Sequence, residues 1–419
     1  MIDFGADSFY TPCQPMQLYG IRSKLYPLRN IMTASQKPLA STPPMGWNSW
    51  NTFGHHVEES VIREMADALV SSGFKDHGYE YIVIDDCWSI KDRRDGNGDL
   101  IPDPEKFPNG IKVLADYVHG KGFKLGIYSD AAEKTCAGYP GSLGFEEQDA
   151  QLWASWGIDF LKYDYCHAPL FDQEVAIERY TRMGEALRKT GHEFLFSLCE
   201  WGNQAPHLWG RKAGGHMWRV SGDVFDSWIN IWMKDWNTYG IGVDVSIDIA
   251  NDLHEYGGPG GWNDLDMLVV GLKGKGQIAG TGMSFIEYQT HMSLWCLACS
   301  PLMIGCDIRK LDRDTASLLM NREVLAVNQD ALGIPARRVK QIGPCEIWRK
   351  GLADGSMAVA VINRGARGED VTIKARDIGL FDAPKLARNL WTQEDIADFK
   401  VELTQRVQPH ETVLLKVTS

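Results

Sequence analysis

From Pro43 to about residue 334, short runs that are apolar almost throughout alternate with stretches whose apolar residues recur every three or four positions. The first run, MGWNSW, precedes VIREMADALVSSG, in which Val61, Met65, Ala68 and Leu69 share a helix face and Gly73 is a stop. YEYIVIDDCW reads as a strand. GIKVLADYVHGKG reads as a helix with Ile111, Leu114, Ala115 and Val118 on one face and Asn109 as its N-cap, and FKLGIYSD as the strand after it. EEQDAQLWASWG leads into IDFLKYD, and a helix from Glu174 to Thr190 leads into EFLFSLCEW. Further strands are expected at HMWRVSGD, GGWNDLDML and SPLMIGCD. Eight apolar strands separated by helices, as in parallel sheets covered on both faces, predict an α/β fold, a (β/α)8 TIM barrel.

After Gly333 the rhythm changes to short alternating segments broken by turns: VKQIG, EIWRK, MAVAVINR, VTIKA, ARNLW and TVLLKV. Loss of the helical period predicts a C-terminal antiparallel β-sandwich. The expected organisation is an irregular N-terminal extension over 1–40, a catalytic barrel over 41–334 and a sandwich over 335–419. A chain of 419 residues exceeds what one core usually organises, which agrees with two folded parts.

Composition narrows the function. The hydrophobic fraction of 44% with 23% charged residues is that of a globular protein. The 43 Lys+Arg against 55 Asp+Glu, a formal net charge of -12, oppose a basic footprint on nucleic acid. A neutral substrate fits better. The 15 Trp, 14 Tyr and 15 Phe suit the apolar faces of sugar rings, though large cores use aromatics too. No run is long enough for a membrane span, and residues 1–40 lack a basic start followed by an apolar segment, so the chain as written reads as cytoplasmic, or as secreted or periplasmic if a leader has been removed. Cys296, Cys299 and Cys306 hint at a metal knuckle, but their surroundings, SLWCLACSPLMIGC, read as core.

In a barrel of this kind the active site lies at the C-terminal ends of the strands. Those ends carry Trp50; Asp85 and Asp86; Tyr128 and Asp130; Lys162 and Asp164; Glu200 and Trp201; Arg219 and Asp223; Asp264, Asp266 and Met267; and Asp307. This acidic rim suits glycoside hydrolysis, where two carboxyls about 5 to 5.5 Å apart make a retaining enzyme. Strands four and six can supply such a pair. A Schiff-base lyase using Lys162 is the rival from another class, but its acidic neighbours favour a charged ammonium. DGNGD, Asp95 to Asp99, has the look of a calcium loop without the sixth-position glycine or the closing acid, and reads as a turn. No metal and no cofactor are expected.

PPMGWNSWN, IDDCW, FPNGIKVLADYVHGKGFKLGIYSD, KTCAGYPGS, FLKYDYC, SLCEWG, GGPGGWNDLDML, PLMIGCD and EVLAVNQDALG together resemble glycoside hydrolase family 27, the α-galactosidases and α-N-acetylgalactosaminidases. The resemblance implies a barrel followed by a β-sandwich and a retaining double displacement. It implies Asp164 as nucleophile and Asp223 as acid/base, with Asp226 in SGDVFDSW as the other aspartate nearby. By the same resemblance Asp85 and Asp86 accept from sugar hydroxyls, Lys162 and Arg219 donate to them, and Trp50, Tyr128 and Met267 line the pocket. Cys136 and Cys166 match a disulfide pair of the family; two free thiols are the alternative.

Glu200 implies an α-galactosidase acting on terminal α-D-galactosyl residues, because a bulky acid there should exclude an acetamido group. Asp85 and Asp86 keep that pattern against a β-L-arabinopyranosidase. A sugar-binding barrel without turnover is the non-enzymatic reading, opposed by the complete pair of carboxylates. IWMKDWNTYGIGVDVSIDIANDLH, between Asp226 and Gly257, is longer than the usual connection and could shape the leaving-group side, form a subunit contact or cover the barrel.

Overall fold

Alternation along each strand builds the barrel. In a computed structural model, which describes residues 38–233, 238–381, 386–396 and 399–418, the barrel strands are β1 (Met45–Asn48), β2 (Tyr81–Val83), β3 (Lys124–Asp130), β4 (Phe160–Asp164), β5 (Leu195–Cys199) and β6 (Met217–Arg219). A hairpin, β7 (Ile231–Met233) and β8 (Thr238–Gly240), intervenes before β9 (Trp262–Asp264) and β10 (Leu302–Ile304). The order β10-β1-β2-β3-β4-β5-β6-β9 is parallel throughout. A bridge between Leu268 and Ile304 closes the ring. Tyr81, Val83, Phe160, Leu195, Met217, Met267 and Met303 fill the interior, while alternate residues such as Ile82, Leu161, Phe196 and Trp218 pack outward under the helices. Each strand is thus buried on both sides, which explains its unbroken apolar run. Gly46 is required in this ring, because a Cβ there would lie 2.4 Å from the Tyr81 carbonyl oxygen.

The helices follow the predicted faces. Glu59–Ser71 buries Val61, Ile62, Met65, Ala66 and Leu69, and Gly110–Gly120 buries Ile111, Leu114, Ala115 and Val118. Asn109 does not cap the latter helix. Its amide reaches Glu59 instead, at 3.1 Å, because that buried carboxylate needs donors. Asp172 does cap Gln173–Lys189, accepting the Val175 N–H at 3.1 Å.

Helix Phe285–Leu297 is buried nearly all round, because it lies between the barrel and the C-terminal sheets: Thr290 donates to the His410 carbonyl and Trp391 to the Ser293 hydroxyl. Cys296 in this helix and Cys299 and Cys306 beyond it are all buried thiols, with Cys299 accepting from Lys350 Nζ at 2.8 Å. The C-terminal part has a six-stranded antiparallel sheet and a two-stranded one. Two of its strands, Glu394–Ile396 and Glu402–Val407, have no counterpart among the six predicted segments. Glu394–Ile396 buries no side chain, and Glu402–Val407 buries only Leu403 and Val407, so their apolar alternation is weak.

The long connection after Asp226 holds the hairpin β7–β8 and helix Val243–Asp252. The helix belongs to the junction with the sandwich: Asp244 and Asp248 pair with Arg364, which also reaches Glu346. The segment Asp95–Asp99 is a turn, with Asp95 Oδ1 accepting the N–H groups of Asn97 and Asp99. Residues 1–37 of the expected N-terminal extension lie outside the described residues. No helix among the described residues is long and apolar enough to cross a membrane.

Candidate active site

Parallel strands deliver their C-terminal residues to one face, and there a cavity of about 550 Å³ opens. Trp50, Asp85, Asp86, Tyr128, Cys136, Lys162, Asp164, Arg219, Asp223 and Met267 line it, so residues spread over more than two hundred positions share one volume. Asp130, Glu200, Asp264 and Asp307 do not line it. Asp307 is held by Arg309 and Lys310. Asp130 is fully buried beside Asp164 in register and accepts the N–H groups of Ala132 and Cys166.

Asp164 ends β4. One of its carboxylate oxygens accepts the Tyr128 hydroxyl at 2.9 Å and the other the Tyr165 N–H at 3.0 Å, which leaves the group oriented toward the cavity. Burial raises its proton affinity; Lys162 lowers it and Asp223 raises it, and the balance stands at about 6. Lys162 donates to Asp85 Oδ2 at 2.7 Å, and Asn48 donates to the same oxygen at 2.7 Å. Burial works against the Lys162 ammonium, but Asp85, Cys199 and Asp164 outweigh it and the group is held protonated. A protonated amine is no nucleophile, which removes the lyase reading. Asp86 accepts the N–H groups of Cys87 and Ala137, and burial pushes it up to about 6.

Asp223 stands four residues beyond the end of β6 with its side chain 45% exposed, and accepts from Arg219 Nη2 at 3.1 Å. Asp226 is the wrong aspartate for chemistry. It is fully buried, with Gly274 N–H, Met283 N–H and the Tyr288 hydroxyl around its carboxylate, and it ties the loop after β9 to the loop after β6. The long connection also serves the site, since Ile241, just after β8, donates its N–H to the Asp223 carbonyl and accepts that of Phe225. Phe225 lines the cavity.

Glu200 corrects the expectation placed on it as a substrate-binding residue. Its carboxylate accepts the N–H groups of Gly202 at 3.0 Å and Gln204 at 2.5 Å and is fully buried; burial pushes it up to about 8. The tight turn after β5 needs an acceptor for those N–H groups, and Glu200 is the acid within reach. The cavity wall there is Trp201, held at φ +59.

Cys136 and Cys166 are disulfide-bonded, joining the loop after β3 to the residues after Asp164 across a sequence separation of 30. Loop closure of this size contributes about 3 to 4 kcal/mol in the chain-entropy account. Reduction with dithiothreitol, or Cys136→Ser, is therefore expected to lower the melting temperature and the activity together. Unchanged thermal unfolding and unchanged kcat/KM after confirmed reduction would contradict that bracing role.

Trp201 and Asp266, expected only as rim residues, and His55, Cys199, Phe225, Gln277 and Ile278, which no sequence pattern marks, also line the cavity. Asp266 and Trp201 stood at strand ends and were legible there. Gln277 and Ile278 arrive on an irregular loop, where no periodicity marks them.

The fold and site define a class: a barrel hydrolase whose cavity gathers several carboxylates, Asp164 and Asp223 among them, backed by a β-sandwich. The profile described as Alpha galactosidase A matches residues 42–330, and that of the Alpha galactosidase C-terminal beta sandwich domain matches residues 342–417. The chain is 44% identical over 388 residues to an alpha-galactosidase of Cyamopsis tetragonoloba, covering 92% of this chain and 88% of that one. It is 43% identical over 405 residues to alpha-galactosidase A of Cellvibrio japonicus, covering 93% and 96%. The crystal structure of alpha-galactosidase I from Mortierella vinacea superposes with a TM-score of 0.84 at 38% identity, covering 90% of this chain and 97% of that one. This chain belongs to glycoside hydrolase family 27, the alpha-galactosidase A family.

Proposed function

We propose that this protein is a retaining exo-glycosidase that removes terminal α-D-galactosyl residues by double displacement. The observation that carries the reading is Asp164 and Asp223 in one cavity, the first buried and aimed by Tyr128, the second half-exposed beside Arg219. Asp164 attacks the anomeric carbon as the bond to the leaving oxygen breaks. Asp223 gives its proton to that oxygen, then takes one from the water that frees the sugar. Asp85 and Asp86 accept from sugar hydroxyls, Lys162 and Arg219 donate, and Trp50, Tyr128 and Met267 wall the ring. Charged partners of this kind penalise an epimer that leaves them unpaired. Trp201 supplies the bulk against an acetamido group that the sequence assigns to Glu200.

The test compares 4-nitrophenyl α-galactoside, α-N-acetylgalactosaminide and β-L-arabinopyranoside. The galactoside should have the highest kcat/KM and release α-galactose first in an NMR time course. Initial β-galactose would exclude retention, and preference for either other glycoside would move the enzyme elsewhere in the family.

A further inference from the structure

Asp266 lies in the cavity wall two residues beyond β9, and nothing in the mechanism above uses it. Its backbone is at φ +83, a conformation that costs a non-glycine residue free energy and that persists only where its surroundings impose it. Three contacts do so. Its N–H donates to Asp264 at 2.9 Å, its carbonyl accepts the Trp295 indole N–H at 2.7 Å, and its carboxylate faces Arg219 Nη1 at 3.0 Å. The other carboxylate oxygen accepts the N–H of Val224, the residue after Asp223, at 2.7 Å.

Arg219 is therefore shared, with Nη1 on Asp266 and Nη2 on Asp223. Two carboxylates around one guanidinium leave one negative charge in excess when both are ionised. We propose that Asp266 is a positioning residue for Asp223, holding the acid/base segment through the Val224 N–H and dividing the Arg219 charge, so that this side of the cavity keeps a proton to donate. The proposal rests on Asp223 being the acid/base.

The groups facing this pair are Arg219 at the end of β6, Asp264 at the end of β9, Asp164 on β4 and Cys199 on β5. Burial pushes Asp266 up to about 7; Arg219 lowers it, and Asp223 and Asp264 raise it. Asp223 and Asp266 share one guanidinium, so the charge on Asp266 competes with Asp223 for it. The group that donates the proton sets the alkaline limb of the pH profile.

Asp266→Asn removes the competing charge and leaves Arg219 wholly to Asp223. The alkaline limb of kcat/KM for 4-nitrophenyl α-galactoside should then move to lower pH by about one unit, narrowing the bell from its alkaline side. Asp266→Glu, which keeps the charge, should restore the limb even if the rate falls. An Asn variant whose rate drops evenly at every pH, with the limb in place, would show a merely structural role and overturn the proposal.

Carbon-13 carboxyl NMR of aspartate-labelled wild type and Asp223→Asn gives a reading independent of how the Asp266 variants fold. Loss of the Asp223 charge should lower the titration midpoints of two assigned carboxyls, Asp164 and Asp266, and a shift at Asp164 with none at Asp266 overturns the proposal. Failure of the acid/base reading is separate: it would appear as Asp223→Ala losing activity equally on α-galactosyl fluoride and on poor leaving groups.

Discussion

Asp164→Ala is expected to lose about 10⁴- to 10⁶-fold in kcat on α-galactosides, the scale seen when a nucleophile is removed from a site whose parts act as a unit. The structure makes the loss specific. Asp164 is the carboxylate fixed by both the Tyr128 hydroxyl and a backbone N–H at a strand end, so no neighbour can take its place without rebuilding β4. Asp130, the nearest acid in register, is fully buried and engaged with two backbone N–H groups. In the wild type Asp164 must be ionised to attack. Burial holds its proton to about pH 6, so kcat/KM should rise as pH increases through that value. Substrate binding should survive in the variant, because the other lining residues are unchanged. A fully active Asp164→Ala protein, or an acidic limb that stays in place when Asp164 is replaced, would move the nucleophile elsewhere.

Asp223→Ala should separate substrates by their need for a proton. Leaving groups that depart as alkoxides depend on the general acid, worth about 10²- to 10⁴-fold, whereas fluoride departs without it. The expected result is a large loss of kcat/KM on a galactosyl disaccharide and a small one on α-galactosyl fluoride. Removing the base also slows hydrolysis of the glycosyl intermediate. Added azide, which needs no base, should restore turnover and give α-galactosyl azide. Equal losses on both substrates with no azide product would exclude Asp223. Asp226→Asn should behave differently, because its carboxylate braces two loops from within the core and its loss should appear as reduced thermal stability.

The strand ends explain why so much of the site was legible. A parallel strand buried on both faces must be apolar until it leaves the barrel, so Asp85, Lys162, Asp164 and Arg219 stand out against their runs, and all four line the cavity. Asn109 shows the limit of local signals. It has the residue type and position of a cap, yet its amide goes to Glu59, a partner 50 positions away.

The sequence by itself determined the barrel, the sandwich and the face on which chemistry gathers, because burial on two sides writes itself into periodicity and polar residues survive only where strands end. Which polar residue points into the cavity was decided by the tertiary structure. Glu200 and Asp226 have the right chemistry and sit within three residues of Trp201 and Asp223, but unpaired backbone N–H groups in the turns claim their carboxylates. Asp266 is aimed by the opposite circumstance: Arg219 and the Val224 N–H hold it in the wall beside the acid/base. Competition for buried donors is settled among residues far apart in the chain, and no local pattern records its outcome.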